Sequence, residues 1–275
     1  MKLYRPDAAL VTFFSFLFAT YLAGVQPAFT FITIGLAVSL ISVNFIYSVN
    51  SVFDSEIDAV NKPDRPLAAN KLSRQNAMAY VAVLLIFAIV YPFFIKVDAI
   101  TIALIWVLPV LGILYSNPWF PFKKKMYLAA PVTALVLVLP MFIGLKVLQS
   151  TTSVHYCTAL FFLVFCLFTV PLKDIEDEKG DVLFNSQNWA AALGAKRLTA
   201  ISALLNATLA IVALLLLNGL NAYLIFGMGF LAAMLCAVFI VLKFPLQLLY
   251  RSIIAGAIIC GSLFYGILLI IKQLS

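Results

Sequence analysis

Charged residues are scarce in this sequence. Aspartate, glutamate, lysine and arginine make up 11% of its 275 residues, whereas hydrophobic residues make up 64%. A soluble domain carries about a quarter charged residues and needs apolar residues for one core only, so this composition excludes a soluble globular protein. The excess of apolar residues indicates that lipid surrounds most of the molecule. Since no long polar stretch separates a second domain, we expect one membrane domain over residues 1–275.

Cysteine and histidine are also rare. The four cysteines lie inside apolar runs and lack the Cys-x-x-Cys spacing, which argues against a disulfide framework or a cysteine metal site and favours small core residues. The single histidine, His155, is expected at a surface or interfacial position. The first apolar run lacks a small-x-small cleavage site, so we expect it to be retained as a helix.

Long apolar runs alternate with short polar segments along the chain. A helix that crosses the hydrocarbon core of a bilayer needs about 20 apolar residues, and nine runs come close to this length. They predict an all-α, multi-pass membrane protein with nine transmembrane helices. The predicted spans are residues 8–24, 28–49, 76–95, 99–116, 127–148, 155–172, 198–217, 221–242 and 250–271.

The basic residues indicate how these spans are oriented. With nine spans and a cytoplasmic N-terminus, 15 of the 18 lysines and arginines fall on the cytoplasmic side, and only Lys96, Lys146 and Lys272 fall on the other. This is the bias expected when cytoplasmic loops retain positive charge. Topology therefore accounts for the net charge of +7, and no nucleic-acid partner is expected.

The acidic residues are concentrated on the same side, although orientation does not require it. Ten of the eleven lie there, Asp98 being the exception, and nine of those ten form two clusters after the second and sixth spans. In the first cluster, Asn50, Asp54 and Asp58 repeat every four residues. If the second span continues as a helix, they share one face, and Pro63 and Pro66 then end the helix.

The second cluster repeats this arrangement. Asp174, Asp177 and Asp181 follow an i, i+3, i+7 pattern that also places them on one helical face. Gly180 is predicted to turn the chain out of the sixth span. Two rows of carboxylates can hold Mg²⁺ on either side of one diphosphate, while nearby lysines and arginines neutralise its remaining oxygens. Such a site would stabilise a departing diphosphate anion.

Simpler interpretations remain open for each feature alone. A single pair of aspartates at the end of a membrane helix is usually a solvated cap. The run Lys123–Lys125 is typical of a topology anchor, and Tyr115 is typical of an interfacial aromatic residue. The presence of two clusters on one predicted face favours the diphosphate site.

Both clusters resemble the signatures of the UbiA superfamily of intramembrane prenyltransferases. The first signature is matched by Asn50-x3-Asp54-x3-Asp58 followed by Asn-Lys-Pro-Asp-Arg-Pro-Leu, and the second by the Asp-x2-Asp-x3-Asp pattern from Asp174. Tyr115, with lysines shortly after it, resembles the loop after the fourth span of that family, and Arg5-Pro6 resembles its N-terminal Arg-Pro. The resemblance covers the whole chain in length, span count and motif spacing.

The resemblance implies nine helices around a central cavity, capped on the cytoplasmic side by the two motif loops. It implies an enzyme of the cell membrane that transfers a polyprenyl group from its diphosphate to a lipophilic or aromatic acceptor, with Mg²⁺ as cofactor. The catalytic residues would be Asp54, Asp58, Asp177, Asp181 and Tyr115. The Mg²⁺ ligands would be Asn50, Asp54, Asp58, Asp174, Asp177 and Asp181. The diphosphate would be bound by Arg5, Asn50, Arg65, Lys123, Lys124 and Lys173.

Two departures from the family pattern leave the acceptor open. Ser51 stands where the family commonly has aspartate, and Asn185-Ser-Gln-Asn-Trp189 replaces a Gly- and Thr-Leu-Pro-like run. The first signature resembles both the branch that prenylates a glycerophosphate lipid precursor and the branch that prenylates aromatic quinone precursors. The alternative function is a transporter with a carboxylate cation site, although its charges would be expected in mid-span.

Overall fold

The computed structural model describes the backbone of residues 3, 6–119, 122–148, 151–217 and 219–274, and the side chains of most of these up to residue 261. Throughout these ranges the regular structure is helical, with no strand. The chain forms two compact units. The first comprises residues 1–151 and 177–188, and the second comprises residues 152–176 and 189–275.

The first unit is built from α-helices joined by short turns. Its helices are α1 (Pro6–Ala23), α2 (Phe29–Ala37), α3 (Asn44–Phe53), α4 (Ser55–Asn61), α5 (Arg74–Val90), α6 (Ala99–Ser116) and α7 (Met126–Leu148). A π-helical segment over Val38–Val43 joins α2 to α3, so that one apolar helical segment runs from Phe29 to Phe53. Two 3₁₀ turns, Tyr91–Phe93 and Phe122–Lys124, follow α5 and precede α7.

Two buried polar side chains of the Phe29–Phe53 segment, Ser42 and Asn44, have partners on the 3₁₀ turn after α5 and on α5 itself. The Asn44 amide donates to the Tyr80 hydroxyl at 2.8 Å, and the Ser42 and Tyr91 hydroxyls lie 3.2 Å apart. These bonds are expected because a polar group in a membrane helix costs free energy unless it is paired. They fix the segment that leads to Asn50.

A close contact between α3 and α6 sets the position of the first acidic cluster. A Cβ atom at Gly112 would lie 2.8 Å from Cγ1 of Ile46, so glycine allows the two helices to approach. α6 and α7 then form a hairpin whose connection contains Lys123 and Lys124. At the other end of this hairpin, Asp98 caps the N-terminus of α6.

The second unit contains α8 (Ser153–Thr169), a 3₁₀ turn (Val170–Lys173), α10 (Trp189–Leu193), α11 (Ala195–Leu216), α12 (Leu220–Val241) and α13 (Leu249–Leu274). The Ser202 hydroxyl of α11 donates to the Phe168 carbonyl of α8 at 2.7 Å. A Cβ atom at Gly229 on α12 would lie 2.7 Å from the Asn206 carbonyl oxygen of α11. Small and polar residues therefore hold these helices together, as is common in membrane bundles.

Seven helices within the described ranges are long and apolar enough to cross a membrane. They correspond to predicted spans two to eight, and two shorter apolar helices, Ala8–Ala23 and Leu246–Gly261, coincide with the first and ninth. The count of nine transmembrane helices stays a prediction. The predicted core position of the cysteines holds for Cys166 and Cys236 but is wrong for Cys157, which is exposed.

Candidate diphosphate site

The first acidic cluster lies where the helix of the second span is interrupted. α3 ends at Phe53, Asp54 leaves the helical conformation with φ −97° and ψ 9°, and α4 resumes at Ser55. The helix is therefore not continuous past Asn50 as far as Asp58. The i to i+4 hydrogen bonds nevertheless persist, from Asp54 N to Asn50 O (2.8 Å) and from Asp58 N to Asp54 O (2.7 Å). α4 ends just before Pro63, as predicted from the sequence.

Asp54 and Asp58 of this cluster contact cations, and Asp54 also contacts an amide. The Asn50 amide donates to Asp54, and the Lys123 ammonium forms an ion pair with the same carboxylate. The Arg65 guanidinium pairs with Asp58, whose exposed fraction is 6%. A carboxylate this buried is expected to have a partner because an isolated buried charge is costly.

The second cluster lies on a further helix, α9, over Asp174–Leu183. The turn predicted at Gly180 is wrong, because Gly180 lies inside α9 and the chain leaves the helix after Leu183, where Asn185 has a φ of 55°. Asp177, with 9% of its surface exposed, forms an ion pair with Lys62.

Residues 177–188 belong to the first unit, and they bring part of the second cluster to the first. The Asn61 amide donates to the Asp177 carbonyl oxygen at 2.9 Å and accepts from the Gly180 N–H at 2.7 Å. After α9, the Gln187 N–H donates to the Lys124 carbonyl oxygen at 2.9 Å. Three segments distant in sequence therefore converge within the first unit: the end of α4, the turn before α7, and residues 177–188.

The remaining predicted residues have other surroundings. Asp181 accepts a hydrogen bond from the Asn188 amide at 2.8 Å. In the second unit, Asp174 accepts from the Trp189 N–H at 2.9 Å, and Lys173 is half-buried at the end of the preceding 3₁₀ turn. In the first unit, Tyr115 is half-buried at the end of α6 and the Lys124 side chain is exposed. Arg5 lies outside the described residues.

Sequence reasoning missed three residues that hold these carboxylates. Lys62 and Asn61 contact Asp177 and α9, and the buried Asn188 contacts Asp181. Asn61 and Lys62 lie directly before Pro63, which ends the helix. Side chains at a helix end can reach another segment, so this position could have indicated their contacts. Asn188 lies in the segment that departs from the family pattern.

Three carboxylates of this site form ion pairs in the structure. Asp54 pairs with Lys123, Asp58 with Arg65 and Asp177 with Lys62. In the ranges that the structure describes, no three aspartate, glutamate, histidine or cysteine side chains form a group that could hold a metal ion.

The residues of the site fit a magnesium diphosphate by their chemistry. Carboxylate and amide oxygens are ligands that suit Mg²⁺, and lysine and arginine suit phosphate oxygens. The arrangement can therefore receive a metal cation on its carboxylates and an anion on its bases.

The sequence model of the UbiA prenyltransferase family matches residues 8–247. The chain is 27% identical over 180 residues to 2-acylphloroglucinol 4-prenyltransferase of Humulus lupulus, covering 60% of the chain and 42% of the relative. It is 28% identical over 237 residues to digeranylgeranylglyceryl phosphate synthase of Saccharolobus solfataricus, covering 81% of the chain and 77% of the relative. The chain thus spans about two-fifths of the plant relative's length.

Solved structures share the fold. A UbiA homologue from Archaeoglobus fulgidus, bound to DMAPP and Mg²⁺, has a TM-score of 0.68 at 17% identity, covering 94% of this chain and 96% of its own. A UbiA homologue from Aeropyrum pernix in the apo state has a TM-score of 0.69 at 16% identity, covering 98% of both chains.

Proposed function

The chain belongs to the UbiA prenyltransferase family, and from this premise we propose that it transfers a prenyl group from its diphosphate to a hydrophobic acceptor with Mg²⁺ as cofactor. One observation supports the proposal most strongly: three carboxylates and three cations from separate segments meet in one unit. A transporter does not agree with membership of this family.

The proposed reaction breaks the bond between the allylic C1 carbon and the diphosphate oxygen, which keeps the electron pair. Lys62, Arg65 and Lys123 donate N–H groups to the diphosphate and so stabilise the charge that develops on it. An acceptor oxygen or carbon then bonds to C1 and loses its proton. Mg²⁺, held by carboxylates drawn from Asp54, Asp58, Asp177 and Asp181 with Asn50, would supply further positive charge to the departing diphosphate.

The ion pairs also suggest how the site is kept stable without substrate. Unpaired carboxylates would repel one another at the membrane surface, whereas here Asp54, Asp58 and Asp177 are each paired with a cation. We infer that the cations exchange partners when the substrate binds. The lysines and arginine turn to the diphosphate, and the carboxylates become available as metal ligands.

Two classes of acceptor remain candidates. The match to digeranylgeranylglyceryl phosphate synthase of Saccharolobus solfataricus covers 81% of this chain, whereas the match to the plant 2-acylphloroglucinol 4-prenyltransferase covers 60%. This coverage favours a glycerophosphate lipid precursor as the first acceptor to test.

The activity is tested with purified protein in detergent. The protein is incubated with labelled geranylgeranyl diphosphate, Mg²⁺ and a panel of glycerophosphate and aromatic acceptors, and products are identified by mass spectrometry. We expect a prenylated product from one class, formed only with Mg²⁺. Absence of a product from every acceptor, together with absence of released diphosphate, would contradict the proposal.

Membrane topology can be tested separately. We propose that nine spans place both acidic clusters at the cytoplasmic face. In a variant in which all four cysteines are replaced, single cysteines at Asp64 and Lys179 should react from the cytoplasmic side. A cysteine at the exposed Lys96 should react from the other side. Labelling of positions 64 and 179 from opposite sides would refute both the span count and the shared site.

A further inference from the structure

We propose that Asn61 is a positioning residue that fixes Asp177 through the backbone of α9, and that Gly180 is required because it makes room for Asn61. The proposal rests on the proposed function in one respect: it takes Asp177 as part of the site for the magnesium diphosphate. Asn61 itself lies beyond the carboxylates and cations assigned to the reaction.

Asn61 contacts α9 through both atoms of its amide. Its Nδ2 donates to the Asp177 carbonyl oxygen at 2.9 Å, and its Oδ1 accepts from the Gly180 N–H at 2.7 Å. A carbonyl oxygen only accepts and a backbone N–H only donates, so the orientation of the amide is determined by its partners. The two bonds hold α9 at positions three residues apart. They therefore oppose both movement of the helix along its axis and rotation about it.

Gly180 fits this contact because it has no side chain. A Cβ atom at position 180 would lie 2.6 Å from Nδ2 and 2.7 Å from Cγ and Oδ1 of Asn61. Real Cβ atoms do not approach so closely, and here the obstacle is the amide that makes both hydrogen bonds. The glycine is therefore explained by close packing against Asn61, since its backbone is helical and φ is not positive.

Asn61 and Lys62 contact Asp177 in complementary ways. Lys62 forms an ion pair with its carboxylate, whereas Asn61 holds its backbone. Under the proposed exchange of partners, Lys62 leaves Asp177 when the diphosphate arrives. Asn61 would continue to hold the Asp177 backbone, and a short amide with few rotatable bonds suits this role better than a long ammonium side chain.

The test uses full-length protein in detergent and two measurements without turnover. Hydrogen exchange of the α9 amides in ligand-free protein reports whether the helix is held. Thermal stabilisation on titration with inorganic diphosphate and Mg²⁺ reports the concentration for half-saturation. The variants are Asn61→Ala, which removes both bonds, and Asn61→Asp, which keeps the acceptor for Gly180. The control is Asn76→Ala, an exposed asparagine at the start of α5.

In Asn61→Ala we expect the α9 amides to exchange about tenfold faster, since the two hydrogen bonds from the Asn61 side chain to the α9 backbone are lost. Half-saturation should need about tenfold more Mg²⁺ diphosphate, and turnover should show a raised KM for the prenyl diphosphate and an unchanged KM for the acceptor. Asn61→Asp should fall between Asn61→Ala and the wild type. A lower melting temperature with unchanged half-saturation would mean a merely structural role and would overturn the proposal, as would wild-type behaviour in both measurements.

Substitution of Gly180 gives a second test, which remains possible if Asn61→Ala folds poorly. Gly180→Ala should lose thermal stability because its Cβ atom collides with Asn61. The double variant Asn61→Gly/Gly180→Ala should recover that stability, because the space is restored. It should still bind Mg²⁺ diphosphate as weakly as Asn61→Ala, because both hydrogen bonds of Asn61 are absent. The control is Gly227→Ala, where an added Cβ atom meets nothing within 4 Å. Failure of the double variant to recover stability would overturn the packing argument.

The two proposals fail in distinguishable ways. Wild-type protein that is not stabilised by Mg²⁺ and diphosphate would contradict the proposed function. Hydrogen exchange of α9 would still decide whether Asn61 holds the helix. Wild-type protein that binds the diphosphate while Asn61→Ala binds it equally well would contradict the positioning role alone.

Discussion

The two ends of the α6–α7 hairpin carry similar residues with different consequences. At one end, Asp98 pairs with Lys146 at 2.9 Å; at the other, Lys123 pairs with Asp54. α6 separates these ends by about 27 Å. Asp98 also accepts from the Thr101 N–H at 2.7 Å, as the N-cap of α6. Its pKa is lowered to about 2, mainly by this backbone hydrogen bond and further by Lys146.

The comparison shows what distinguishes a structural aspartate from a candidate ligand. Asp98 satisfies a helix terminus, which would otherwise leave N–H groups without partners. Asp54 lies between α3 and α4, and its side chain makes no capping hydrogen bond to α4. It contacts Lys123 and Asn50 instead. An aspartate whose side chain caps no helix, and whose cation comes from a distant segment, is a better candidate for function.

The largest difference between the two ends should appear in turnover. Asp54→Asn and Asp177→Asn keep the side-chain size but remove the charge that would bind the metal. We expect each to reduce kcat/KM by about 100-fold or more, measured with the prenyl diphosphate and whichever acceptor gives a product in the assay proposed above.

Asp98→Asn is the matched control at the other end of the hairpin, and it should keep wild-type turnover. Retention of more than about a tenth of wild-type activity by both site variants would be too small an effect for a lost metal ligand. The aspartates at the two ends of the hairpin would then not differ in their effect on turnover.

A smaller difference should appear when the cations are compared. Lys62→Ala should raise the KM for the prenyl diphosphate about tenfold, because one donor to the diphosphate is lost, while the KM for the acceptor should not change. Lys146→Ala, which removes the cation of the opposite pair, should change neither KM. Equal effects of the two substitutions on the KM for the prenyl diphosphate would show that Lys62 has no special part in binding.

The smallest difference concerns stability at acidic pH. Because folding lowers the pKa of Asp98 from its ordinary 3.8 to about 2, its ionised form stabilises the folded protein above the ordinary pKa. This contribution is lost as the pH falls through about 2. The wild type should therefore melt at a slightly higher temperature than Asp98→Asn at neutral pH, and the two melting temperatures should converge between about pH 4 and pH 2. A difference as large at pH 2 as at neutral pH would contradict the assignment.

Much of this molecule follows from local sequence. The lengths of the apolar runs predicted helices that the structure contains, because a membrane helix satisfies its own backbone hydrogen bonds and needs no distant partner. Pro63 likewise indicated the end of α4. The spacing of Asn50, Asp54 and Asp58 predicted a shared face, which survives the break at Asp54. The carboxylates were predicted as candidate metal ligands for the same reason, since a helical period is a local property.

Contacts between distant segments were not available from the sequence. Gly180 was predicted to end a helix, whereas in the structure it lies within α9 and packs against Asn61, 119 residues away in the chain. Lys62 was overlooked although it forms the ion pair with Asp177. Spacing predicts which residues share a helical face, but the partner of that face depends on how helices pack. The sequence alone determined the helices and the carboxylates; the tertiary structure decided which cation neutralises each carboxylate, because a buried charge must be paired with whatever group the fold brings near it.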